Sequence, residues 1–144
     1  MNLSSKKGSS IATQDAYDFS GRRILLAEDN DLNREIATEL LSLTKASITT
    51  VTDGQQAVDR FTTAPPGTYD VILMDIQMPV MDGYAATSAI RKSPHPEAAT
   101  IPILAMTANA FTEDVNRALS SGMNGHIAKP IDTHILYSTL AEIF

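Results

Sequence analysis

The sequence predicts an α/β fold: a doubly wound five-stranded parallel sheet with helices on both faces. Two observations carry that expectation. Short apolar runs of the kind found in buried parallel strands alternate five times with segments of helical periodicity. Between them lie breaks rich in proline and glycine, such as Pro65-Pro66-Gly67 and "SPHP" at residues 93–96. A strand followed by a crossover helix returns parallel to itself, so the alternation fixes strand direction as well as class.

Each element has its own reason. "RRILLAED" is the first apolar run, and "DLNREIATELLSLT" follows it with Leu32, Ile36, Leu40 and Leu43 at helical spacing. β-Branched residues make "SITTVTD" the second strand. Asp53 can then cap a helix through "GQQAVDRFTT", whose inner stripe is Ala57, Val58 and Phe61. The third strand is "YDVILMD", and its helix runs from about Gly83 to Lys92 before the prolines end it. "IPILAMTA" and "GHIAKP" supply strands four and five, followed by helices in "FTEDVNRALSS" and "IDTHILYSTLAEIF". By contrast, residues 1–20 are rich in Ser, Gly and polar residues without either period, which reads as a flexible leader or interdomain linker. The fold is expected over 21–144.

Composition narrows the function. A chain of 144 residues, 43% hydrophobic and 19% charged, fits one globular domain with a real core. Seventeen acids against eleven Lys and Arg leave a formal charge of −6, which argues against a surface that holds nucleic acid or anionic lipid. A cation or a basic partner suits it better. The absence of cysteine excludes disulfides and thiolate metal sites and is compatible with a reducing cytoplasm. No stretch is apolar for long enough to span a bilayer, and the N-terminus lacks the apolar core of a signal peptide. A cytoplasmic domain is therefore expected, whether or not a longer parent is membrane-anchored.

Where strands end, acids accumulate. In open α/β sheets ligands bind beyond the carboxyl ends of the strands. Asp75 ends strand three; Glu28 and Asp29 follow strand one; Thr107 and Lys129 close strands four and five. Crowded carboxylates resist joint ionisation unless a cation intervenes, and Mg²⁺ takes oxygen ligands of this kind. Asp29 and Asp75 suit direct ligation, Glu28 binds directly or through water, and the Gln77 backbone carbonyl is in reach. A carboxylate can accept a phosphoryl group if a metal and positioned donors neutralise its oxygens, and Lys129 and Thr107 are such donors.

These residues resemble the receiver domain of two-component response regulators, with the CheY-like fold. "LLAEDN" is similar to the family's acidic pair and "VILMDIQMPVMDG" to its phosphoacceptor strand and loop. "ILAMTA" matches its switch-threonine strand and "AKPI" its lysine followed by a cis-proline. The resemblance implies strand order 2-1-3-4-5 and Asp75 as phosphoacceptor. It also implies Glu28 and Asp29 with Mg²⁺, Thr107 and Lys129 on the phosphoryl oxygens, and a histidine kinase or histidine phosphotransfer protein as partner. "EDNDLNREIATELL" and "MTANAF" look most like receivers of hybrid sensor histidine kinases. Such a domain catalyses only its own phosphorylation and dephosphorylation, contacts neither nucleic acid nor membrane directly, and switches its surface through Thr107. Two departures stand out. The loop "TKAS" lacks the glycine common before strand two, and His126 occupies the switch position where the family usually has Tyr or Phe.

Other readings of the same residues exist. A haloacid-dehalogenase-type phosphatase also combines a strand-end Asp, Mg²⁺, Thr and Lys, but needs a second Asp two residues after the nucleophile, where this chain has Gln77. A non-phosphorylated pseudo-receiver would be expected to have lost part of the acid site, which is complete here. Glu28 and Asp29 also suit the positive end of the first helix. Asp53, Asp59, Asp70 and Asp82 read as caps, turns or solvated positions. Met74, Met78, Met81, Met106 and Met123 read as core and loop filling. His95 reads as loop and His134 as surface, neither with metal-site spacing.

Overall fold

A computed structural model describes residues 17–108 and 112–144. The elements run β1 (Arg23–Ala27), α1 (Asp31–Ser42), β2 (Ser47–Val51), α2 (Gly54–Thr62), β3 (Val71–Asp75) and α3 (Gly83–Lys92), then β4 (Ile103–Thr107), α4 (Thr112–Ser121), β5 (Gly125–Ala128) and α5 (Thr133–Ile143). The five strands are all parallel, in the order β2-β1-β3-β4-β5, as expected. Winding direction therefore reverses between β1 and β3, and the crevice beyond their carboxyl ends is the natural ligand site of such a sheet.

Alternation along each strand feeds two cores. Leu25, Ile72, Met74 and Ile103 face α2, α3 and α4, where Phe61 and Ile90 meet them. Ile24, Leu26, Leu73 and Met106 face the opposite way, toward Leu41 of α1 and Leu136 and Leu140 of α5. Central strands β3 and β4 are buried at every position, whereas the edge strands β2 and β5 are only partly so. Each central aliphatic side chain contributes about 2 kcal/mol by leaving water.

Four helices begin on an Asx cap: Asn30, Asp53, Asp82 and Asp132 each accept from the N–H three residues on, at 2.8–3.0 Å. Such a cap contributes about 1 kcal/mol, and it anchors the helix start at the strand-end rim. The expected roles of Asp53 and Asp82 are thus met. Asp70 accepts from the Arg23 N–H and Asp59 from Gln55.

Three local features add to the sequence reading. Along α1, Ala37 and Leu41 are buried and Leu40 packs against the same core, while Leu32, Ile36 and the C-capping Leu43 are exposed. In "TKAS", which has no glycine, Lys45 takes φ 70°, a left-handed conformation that costs an L-residue roughly 1 kcal/mol. The packed fold also starts before Gly21. Phe19 is buried, donates its N–H to Thr44 O at 2.7 Å and stacks edge-on against Phe144 at 4.9 Å, so the flexible segment expected over 1–20 does not extend through it. Tyr17 joins it on Tyr137, and Arg22 donates to Phe144 O. Residues 1–16 of that expected leader lie outside the described residues.

Candidate functional site

Glu28, Asp29 and Asp75 converge at the rim between β1 and β3, with one carboxylate oxygen from each lying within 4.8 Å of the others. Glu28 and Asp75 are buried and Asp29 is exposed, so the cluster is open on one side. The Lys129 ammonium, just beyond β5, lies 2.8 Å from Glu28 and 3.1 Å from Asp75. Its peptide bond to Pro130 is cis. Glu28 also accepts the Asn30 N–H, whereas the α1 cap is Asn30 itself, so neither Glu28 nor Asp29 is the capping residue.

Burial pushes the Asp75 carboxyl up to about 7, the neighbouring Glu28 adds to the rise, and Lys129 only partly offsets it. Burial also works against the Lys129 charge, but its hydrogen bonds to Glu28 and Asp75 outweigh this and hold its pKa above the ordinary value. One ammonium cannot balance three carboxylates. A hard, oxygen-seeking divalent cation fits the donor set and the open side, and Glu28, Asp29 and Asp75 are the residues that would hold it.

The loop behind Asp75 is set by two glycines that sequence reasoning passed over. A Cβ on Gly83 would lie 2.3 Å from Asp75 O, and one on Gly54 2.2 Å from Met81 O. Their N–H groups bond Ile76 O and Met81 O at 2.8 and 3.0 Å, so backbone fills the space a side chain would need. Such close approach is what glycine alone permits. Between them Val80 takes φ 69°, rare for a β-branched residue, and stands 82% exposed.

Of the other predicted residues, Thr107 is buried at the end of β4 and lines the Asp75 cleft, as does Gln77 with an exposed side chain. His126 is exposed on edge strand β5 and is not among the cleft-lining residues. His95 bonds Ala64 O and packs on Phe61, and His134 is exposed. Sequence reasoning missed Tyr84 and Asp114, which line the cleft from the first turns of α3 and α4. Their only sequence signal was position: helix starts in this fold face the strand-end rim. Among the described residues no helix is long and apolar enough to cross a membrane.

Comparison with known proteins agrees with this geometry. The family described as "Response regulator receiver domain" matches residues 24–141. "Histidine kinase 1" of Arabidopsis thaliana is 36% identical over 94% of this chain and 14% of its own length. "Hybrid signal transduction histidine kinase I" of Dictyostelium discoideum is 37% identical over 97% of this chain and 8% of its own. The chain thus spans only a small part of these relatives. Among solved structures, the receiver domain of a Pseudomonas aeruginosa sensor histidine kinase, with a magnesium ion in its active-site cleft, superposes at TM-score 0.76 with 39% identity, covering 85% of this chain and 97% of that one. A Saccharomyces cerevisiae response-regulator receiver, co-crystallised with a histidine phosphotransfer protein, gives 0.75 and 31%, covering 86% and 89%. Matching over most of its length, with the acidic trio and lysine brought to one rim, the chain belongs to the response-regulator receiver domain family.

Proposed function

We propose that the domain accepts a phosphoryl group from a phosphohistidine onto Asp75 and signals by the resulting change of surface. The observation that carries this reading is the buried Asp75 carboxylate, held by Lys129 and crowded by two further acids. An oxygen of Asp75 attacks phosphorus, the P–N bond of the donor breaks, and the electron pair returns to the imidazole. Lys129, already 3.1 Å from Asp75, then faces a phosphoryl oxygen as a charged donor, and the Thr107 hydroxyl supplies a second. Mg²⁺, when bound by Glu28, Asp29, Asp75 and the Gln77 carbonyl, would offset the charge of the phosphoryl oxygens. Hydrolysis or back-transfer resets Asp75.

Exposed Leu32, Ile36 and Val80 give a phosphotransfer partner apolar side chains beside the acids, and the yeast receiver noted above was crystallised with a histidine phosphotransfer protein. We further infer a cytoplasmic domain of a hybrid sensor histidine kinase, since the similar kinases are many times longer than the aligned segment. The test is intact mass after incubation with Mg²⁺ and acetyl phosphate. One phosphoryl group per chain, not formed when chelator is present from the start, is expected; no Mg²⁺-dependent adduct would refute the reading.

His126 is the proposed partner of Thr107 in the switch. An imidazole buries less apolar area than a phenol ring, so it favours the inward state less. His126→Tyr is therefore expected to raise the gain in partner affinity caused by beryllofluoride by about threefold. Identical gains for wild type, His126→Tyr and His126→Ala would make His126 a solvated edge residue.

A further inference from the structure

The cleft over Asp75 continues outward. Asp29, Gln77, Tyr84 and Asp114 line both the cleft and a shallower groove that passes Asp82 and ends at Arg117 on α4. Two cations line this path. Lys129 is committed to Glu28 and Asp75, whereas among the described residues no carboxylate pairs with Arg117. Its guanidinium instead lies over the Tyr84 ring, 4.2 Å from the centroid. Tyr84 is 9% exposed, so it is a fixed base under an exposed cation. The remaining charges along the groove, Asp29, Asp82 and Asp114, are all acidic.

That distribution sets a problem for the reaction. An incoming phosphoryl group is dianionic, and it must pass three carboxylates to reach a fourth. Repulsion of this kind slows association unless a cation at the mouth offsets it. We infer that Arg117 is a donor-positioning residue: seated on Tyr84, it draws small dianionic phosphoryl donors, of the acyl phosphate class, into the groove that leads to Asp75. The effect asked of Arg117 is that of its charge at the mouth, which a lysine ammonium at the same place would share in large part. The inference rests on the proposed phosphoacceptor role of Asp75.

The experiment compares wild type, Arg117→Gln, Arg117→Lys and the remote charge control Lys92→Gln. Each is phosphorylated with acetyl phosphate at saturating Mg²⁺ and followed by intact mass across ionic strengths. Arg117→Gln is expected to lower the second-order rate constant about fivefold to tenfold at low salt, with the difference fading near 0.5 M. Mg²⁺ affinity and the rate of dephosphorylation stay at wild-type values, Arg117→Lys recovers most of the loss, and Lys92→Gln shows none. Rates for Arg117→Gln within twofold of wild type at every salt would overturn the inference and leave the phosphoacceptor role intact. So would an equal, salt-independent loss in the Gln and Lys variants, which would mean that Arg117 merely braces Tyr84. A wild type that takes no phosphoryl group would overturn both.

Discussion

Asp75→Asn is expected to slow Mg²⁺-dependent phosphorylation by about 10³-fold or more, since the amide that replaces the carboxylate is not a competent nucleophile. The same substitution should stabilise the metal-free protein. Asparagine keeps an acceptor for Lys129 but removes the charge that burial and Glu28 oppose. Asp75 binds its proton up to about pH 7 in the folded chain, but releases it near 3.8 when unfolded. Between those values the folded state holds a proton that the unfolded state has lost, so this group's contribution to stability falls as pH rises. In chelator, the melting temperature of Asp75→Asn relative to wild type should therefore climb from about pH 4 to about pH 7 and then level off. A constant difference across that range would show that Asp75 is not held protonated. Wild-type phosphorylation rates in the mutant would move the acceptor to another carboxylate.

Lys129→Ala is expected to cost the metal-free protein about 3 kcal/mol near neutral pH, because it strands two buried carboxylates without their shared cation. Protons or a divalent ion can take the ammonium's place. The loss should shrink at about pH 5.5, and millimolar Mg²⁺ should recover most of it. Thermal unfolding with and without chelator measures both effects. An unchanged melting temperature in chelator would mean that Lys129 contributes only a contact to the phosphoryl group. With Mg²⁺ restored, the variant should still fold, yet no longer convert phosphorylation into partner binding.

Much of this was legible in the chain because strand interiors here are so uniformly apolar. Against runs such as "VILMD" and "ILAMT", any polar residue at a strand end stands out, and Asp75 and Thr107 did. Turn chemistry was equally readable in Asp53 and Asp82. The inward phase of α1 was not legible. Leu32, Ile36 and Leu43 have helical spacing, but the sheet takes the face of Ala37 and Leu41. Hydrophobicity marks a helix without always marking its inward side, since close packing rewards small residues as well as large ones. The glycines at 54 and 83 were invisible for another reason: the atoms they avoid belong to loops far away in sequence. Tyr84 and Asp114 escaped because a helix's first turn touches the cleft only once the crossover is folded.

The packing of Phe19 and Arg22 against Phe144 concerns how the domain would be carried. Phe19 bonds Thr44, just past the end of α1, and α5 finishes beside it, so the described chain comes in and goes out at the amino edge of the sheet. Asp75 sits at the carboxyl edge. A tether attached through either end, or both, would hold the domain by the side away from its chemistry and leave the acidic mouth free to turn toward successive donors.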